Sequence, residues 1–205
     1  MKMSNRWNRL IYRLWAPVYD STVEHFFRPG RQRAMELLAL QPGENVFIVG
    51  VGTGADLPLL PGGVNVIGID LSREMLRKAR QKLPRCRADI QIIQGDAQGR
   101  CLQENHFDAA LLNLILSVVP DSTACLHATL SVLKTGGRII VFDKFQPEGE
   151  KPSPGRKLIN FFSTILGTDI TRQIGGITQG LPCEIISDEP SLAGGVYRVI
   201  EIHRT

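Results

Sequence analysis

Four apolar residues, Val46-Phe47-Ile48-Val49, run directly into Gly50-Val51-Gly52-Thr53-Gly54. This junction constrains the chain more than any other feature. A short apolar run rich in β-branched residues and stopped by glycine suits a strand buried on both faces. A buried strand that ends in a glycine turn and then a helix brings backbone N–H groups and a helix N-terminus to the carboxyl edge of a parallel sheet. The glycines matter there because a Cβ would block close approach by a ligand.

The segments that follow repeat the alternation. Val64 to Ile69 predicts a second strand ending at Asp70, and Ser72 to Leu83 a helix with Met75, Leu76 and Ala79 on one side and Ser72 and Glu74 at its start. Ile90 to Ile93 and Phe107 to Leu112 predict two more strands. Asp121 can cap a helix running to Leu133 and stopping at Gly136-Gly137, before a fifth strand from Arg138 to Asp143. Strands alternating with helices give an α/β, doubly wound and mostly parallel sheet. The end of the chain departs from this. Pro182 to Ser187 and Val196 to His203 are separated only by the turn region Asp188 to Gly195, which suits an antiparallel pair. Pro147 to Pro154 reads as a loop leading into a helical stretch, Gly155 to Leu166.

At 205 residues the chain is expected to form a single domain, 1–205. Its 43% apolar and 21% charged content is that of a soluble protein. No apolar run reaches the roughly 18 residues of a membrane span, since Asn113 and Ser117 interrupt Ala109 to Val119. Arginines 6, 9 and 13 exclude a secretory core, so a cytoplasmic location is expected. Cysteines 86, 101, 125 and 183 lack metal or redox spacing and read as free thiols, with no metal expected. The net charge of +4 gathers in residues 1–40, where seven basic residues face Asp20, Glu24 and Glu36. Met3, Trp7, Leu10, Ile11, Leu14 and Trp15 share one helical face flanked by Lys2, Arg6, Arg9 and Arg13. Such a helix suits either an anionic membrane surface, as a peripheral contact at the inner membrane through residues 1–16, or a lid packed on the domain. No basic–aromatic groove for nucleic acid follows it.

Asp70 stands 20 residues after Gly50, where a carboxylate can accept from a ribose diol. Gly50-x-Gly52-x-x-Ala55 also fits a dinucleotide fingerprint, so the loop alone leaves a nicotinamide cofactor, another nucleoside and a plain tight turn all open. Gln94-Gly95-Asp96-Ala97, Phe107-Asp108 and Leu133-Lys134-Thr135-Gly136-Gly137-Arg138 complete an ordered set. As a set, from about Tyr12 to Phe145, it resembles the class I S-adenosylmethionine-dependent methyltransferases. The resemblance implies a Rossmann-like, seven-stranded sheet with the last strand antiparallel, and S-adenosyl-L-methionine as cofactor. It also implies roles in cofactor binding. Gly50, Gly52 and Gly54 would form the loop, Asp70 would bind the ribose hydroxyls, and Leu71 and Met75 would pack near the adenine. Asp96 would accept from the adenine amino group, with Ala97 on the ring. Asn113 and Leu114 would line the methionine end, and Tyr19 would close over the cofactor. The family usually carries an acid two places before the first glycine, and Ile48 stands there instead.

Tyr12 to Asp20, Phe27-x-Pro29-Gly30-Arg31, Ser117-Val118-Val119-Pro120-Asp121 and Asp143-x-Phe145 look more narrowly like bacterial phospholipid N-methyltransferases, relatives of the ubiquinone and menaquinone C-methyltransferases. This implies N-methylation of a phosphatidylethanolamine-type headgroup, with methylation of a quinone precursor or other small molecule as the alternative and a non-catalytic cofactor-binding protein as a third reading. Residues 1–40 would then form a helical lid and 147–180 a substrate-covering insert. Tyr19, Asn113 and Asp143 are the candidate catalytic residues, beside Ser117 and Lys144. A lysine at 144 departs from the neutral or histidine-like residue the resemblance leads one to expect.

Overall fold

The computed structural model describes residues 22–99, 102–147 and 168–205. The amphipathic segment 1–16, Tyr12, Tyr19 and the helical stretch 155–166 lie outside the described residues.

Helix α1 (Thr22–Leu38) precedes β1 (Asn45–Val49), β2 (Asn65–Asp70), α2 (Arg73–Lys82), β3 (Asp89–Gln94) and β4 (Phe107–Asn113). Then come α3 (Ser122–Val132), β5 (Leu133–Lys144), α4 (Ile174–Thr178), β6 (Cys183–Pro190) and β7 (Tyr197–Arg204). The described residues form one seven-stranded sheet in the order β3-β2-β1-β4-β5-β7-β6. All neighbours from β3 to β5 pair in parallel, and β7 runs against both β5 and β6. The doubly wound sheet with its reversed last strand therefore forms as the motifs imply.

The period of two along β1 explains why it is apolar throughout. Phe47 and Val49 join the core under α3 and α4. Val46 and Ile48 join the opposite core with Ala34 and Leu38 of α1 and Leu76 and Ala79 of α2. A central parallel strand buries both faces, so neither face can be polar. Helix boundaries follow the predicted caps: Ser72 Oγ accepts from Met75 N at 3.3 Å, and Asp121 Oδ1 from Ala124 N at 2.8 Å.

Two differences from the sequence expectation have physical causes. Helix α3 ends at Val132 and β5 begins at once, with Leu133 opposite Phe107 and the next pairing joining Ala109 to Arg138. Residues 134–137 bulge between those pairs, and Gly136, at φ 75°, makes the bend. Helix α1 crosses β5 despite Pro29 and Gly30 in its interior. A Cβ on Gly30 would stand 2.2 Å from Phe142 Cζ, so the poor helix former is what admits the ring. Arg138 fastens the far end of this helix, with Nε donating to Leu38 O at 2.7 Å and its Nη atoms bidentate on Glu44 at 2.8 and 2.7 Å.

Candidate cofactor cleft

The glycine loop opens a cleft at the carboxyl ends of β1, β2 and β4. Gly50, Gly52 and Gly54 all have positive φ (71°, 56° and 77°), a backbone other residues rarely adopt. Their surroundings differ. A Cβ on Gly50 would meet Ile115 Cδ1 at 2.7 Å, and one on Gly54 would meet Leu57 Cδ1 at 2.9 Å and Ala79 Cα at 3.0 Å. At Gly52 the nearest atom would be Gly50 O, 3.9 Å away. The outer two glycines thus admit the protein's own packing, and the middle one leaves the cleft open.

Asp70 holds this shape. Its Oδ2 accepts from Gly52 N and its Oδ1 from Ser72 N, each at 2.8 Å. Burial pushes the carboxyl up from its ordinary value, and the N–H groups of Ser72 and Gly52 oppose that rise. Each carboxylate oxygen keeps acceptor capacity for a further donor such as a ribose hydroxyl. Leu71 and Met75 line the same wall, and Asp96 and Ala97 the next. Asp96 Oδ1 accepts from Gln98 N at 3.0 Å and Gln98 Nε2 at 3.1 Å, while Gln98 Oε1 accepts from Asp121 N at 2.8 Å. The turn after β3 is thereby tied to the cap of α3.

One expectation fails at the loop. No α-helix follows the glycines: the described chain makes a single 3₁₀ turn, Leu57–Leu59, and then a turn into β2. Pro58 and Pro61 each lack an N–H, so a longer helix cannot propagate across them. A dinucleotide pyrophosphate is held at just such a helix N-terminus, with its orphan N–H groups and dipole. The cleft lacks that device and suits a nucleoside without phosphates.

Asn113 and Leu114 line the third wall. Leu114 has φ 59°, uncommon for a bulky side chain, and is held there by its N–H to Phe142 O at 2.7 Å. Asn113 is 5% exposed; its Nδ2 donates to Asp56 Oδ1 at 2.8 Å, and its Oδ1 has no hydrogen-bond partner among the described residues. Asp56 is 2% exposed and its Oδ2 lies 2.6 Å from Nη1 of Arg31, which also lines the cleft. The sequence reading missed Asp56 altogether and noted Arg31 only within a motif. The one available signal was an acid placed two residues after the last loop glycine.

Asp143 is elsewhere. It is fully buried at the end of β5 and is not part of the cleft wall. Its Oδ2 accepts from Ser117 N at 2.9 Å and its Oδ1 from Lys144 N at 2.8 Å, and burial pushes its carboxyl up. Lys144 Nζ sits 5.9 Å over the Tyr197 ring, a cation–π placement, and burial lowers its pKa. Among the described residues no group of acidic, histidine or cysteine side chains is arranged to hold a metal, and no helix is long and apolar enough to cross a membrane.

Comparison with known proteins agrees with this architecture. A family model described as a methyltransferase domain matches residues 47–141, the span from β1 into β5. The chain is 28% identical over 195 residues to a phosphatidylethanolamine N-methyltransferase of Cereibacter sphaeroides, covering 94% of this chain and 95% of that protein. It is 31% identical over 137 residues to a demethylmenaquinone methyltransferase of Renibacterium salmoninarum, covering 64% of this chain and 56% of the relative, so it spans little more than half of that protein. The crystal structure of magnesium protoporphyrin IX methyltransferase from Synechocystis PCC 6803, with bound SAH, has the same fold, with a TM-score of 0.68, 21% identity and 97% and 96% coverage. With the sheet order and the glycine cleft, these likenesses support an S-adenosylmethionine-dependent methyltransferase of class I, the family that the motif set resembles.

Proposed function

We propose that this enzyme methylates the amine of a phospholipid headgroup of the phosphatidylethanolamine type at a membrane surface. The observation that carries the reading is the end-to-end match, 94% of this chain against 95% of the relative, to an enzyme named for that lipid. The quinone-type relative matches only 64% of this chain. Its identity over the shared part is slightly higher, at 31%, and that favours methylation of a quinone precursor as the second reading.

The residues of the cleft fit S-adenosylmethionine. Gly52 leaves room for it, the Asp70 carboxylate can take the ribose hydroxyls, and Met75 with Ala97 can flank the adenine beside Asp96. The cofactor supplies a methyl group already activated on a sulfonium. The protein's part is chiefly to align the acceptor with it, worth several kcal/mol at the barrier by proximity alone. An amine acceptor must reach the site deprotonated. Asp143, with both oxygens engaged by backbone N–H groups, is better suited to holding the loop at Ser117 than to taking that proton. The apolar side chains of Leu114, Ile115, Val118 and Val119 form the wall next to Asn113, and a dry wall favours the neutral amine. In this reading residues 1–16 contact the anionic membrane, Tyr19 closes over the cofactor and 147–180 cover the substrate.

The test is methyl-label transfer from S-adenosylmethionine to three acceptors: phosphatidylethanolamine in anionic vesicles, demethylmenaquinone in the same vesicles, and free ethanolamine. Label in the lipid headgroup, with vesicle binding that weakens at high salt and on replacing Trp7 and Arg9, is the expected result. Label in the quinone alone would overturn the lipid reading in favour of the second.

A further inference from the structure

The family's usual acid is absent at Ile48, yet a buried acid stands close by at Asp56. Asp56 does not line the cleft; its two partners, Arg31 and Asn113, do. Arg31 lies 2.6 Å from one carboxylate oxygen and Asn113 Nδ2 donates to the other at 2.8 Å. This settles which way the amide is turned, because a carboxylate accepts and only Nδ2 can donate to it. Asn113 Oδ1 must therefore face away from Asp56. It is buried, on a cleft-lining residue, and without a partner among the described residues. A buried carbonyl left so is costly, and a ligand that donates to it removes the cost.

We propose that Asn113 Oδ1 accepts from the ammonium of the amino-acid end of S-adenosylmethionine, and that Asp56, its charge balanced by Arg31, is the positioning residue that fixes the amide for this purpose. The inference rests on the placement of the cofactor in this cleft. A fixed amide dipole backed by a buried ion pair supplies the acceptor at this end of the cleft. The lone acceptor is complementary to a donor. It is not complementary to the carboxylate of the same amino-acid end, which must find its donors elsewhere.

Two ligands separate this from a structural role. S-Adenosylhomocysteine carries the amino-acid end, and 5′-methylthioadenosine shares its nucleoside and sulfur but lacks that end. Titration calorimetry on the full chain and its variants reads both. Asn113→Leu is expected to weaken S-adenosylhomocysteine by roughly ten- to a hundredfold, the size of one charge-assisted hydrogen bond, and to leave 5′-methylthioadenosine within about twofold. Asp56→Asn is expected to show the same ligand-selective loss to a smaller extent. Combined with Asn113→Leu it should add nothing, because both act on one contact. Retained binding of 5′-methylthioadenosine also reports that each variant is folded, and Asn113→Ala stands in if the leucine is not accommodated. Equal losses for both ligands, unchanged S-adenosylhomocysteine affinity, or additive losses in the double variant would each overturn the inference. Failure of the unsubstituted protein to bind either ligand would instead refute the placement of the cofactor itself.

Discussion

Replacing Gly30 with alanine tests whether α1 is shaped by its own propensity or by the sheet beneath it. In an unconstrained helix interior the change would stabilise by about 1 kcal/mol. Here the new methyl would lie 2.2, 2.3 and 2.9 Å from three atoms of the Phe142 ring. The ring is fully buried and has Phe27 and Tyr197 at centroid distances of 6.1 and 5.9 Å, so it cannot swing aside as a flexible chain end could. Either α1 lifts from β5 or the aromatic group repacks. Overpacking of this kind costs about 1–3 kcal/mol, and a 2.2 Å approach belongs at the upper end, so after the propensity gain about 2 kcal/mol of destabilisation should remain. For a chain of this length that is a fall in Tm of roughly 4–8 °C. Gly176 is the matched control, because a Cβ there meets nothing within 4 Å and no positive φ is required. Urea unfolding of Gly30→Ala, Gly176→Ala and the double variant Gly30→Ala/Phe142→Leu decides the matter. The control should be neutral or slightly stabilised, and trimming the ring should recover part of the loss relative to Phe142→Leu alone. A Gly30→Ala protein as stable as the parent would refute the reasoning.

Two further outcomes follow from buried charge and buried sulfur. The Arg138 hydrogen bonds hold the Glu44 carboxyl below its ordinary value, so the stability they confer is complete above the unfolded-state pKa and is lost as pH falls through the lower folded-state one. Glu44→Gln should therefore cost about 1–2 kcal/mol at neutral pH, with the gap to the parent closing progressively below about pH 5 in acid-unfolding curves; a gap constant with pH would refute the assignment. Burial pushes the Cys125 thiol up to about 12, so mass-mapped alkylation at pH 8 should leave it unmodified in the folded protein and label it only on unfolding.

The sequence revealed what is local or periodic. Apolar runs marked every strand of the parallel half, and Ser72 and Asp121 marked the starts of α2 and α3, because a cap lies within a few residues of the N–H it satisfies. The length of β5 was less legible, since residues 134–137 look like a plain helix stop and only pairing with β4 shows that Leu133 already belongs to the sheet. The absent helix after the glycine loop was legible in Pro58 and Pro61, but the glycine pattern outweighed them. Arg31, Asp56 and Asn113 carry no joint signal in the chain. They lie 25 and 57 residues apart and meet only when α1 folds across the carboxyl edge of the sheet.

The two strand-end carboxylates show why position alone misleads about chemistry. Asp70 and Asp143 both stand at the end of a parallel strand, both are driven toward the neutral form by burial, and both have each carboxylate oxygen engaged by a backbone N–H group. From the sequence each could be a ligand-facing acid. What separates them is the neighbouring loop. Asp70 grips Gly52, whose missing side chain leaves the carboxylate on the open cleft. Asp143 grips Ser117, within a segment that Arg172 also secures through Leu116 O and, at 2.7 Å, Val119 O. That segment covers Asp143 and itself supplies Val118 and Val119 to the cleft wall. The same device, a carboxylate bonded to a loop's backbone, therefore makes a binding surface at one strand end and a loop anchor at the other. Isosteric replacement by asparagine should separate them. At position 70 the loss should appear first in nucleoside affinity. At both positions an amide presents a donor to a backbone N–H group, but Asp143 does not line the cleft, so there the loss should appear in stability without a direct loss of nucleoside contact.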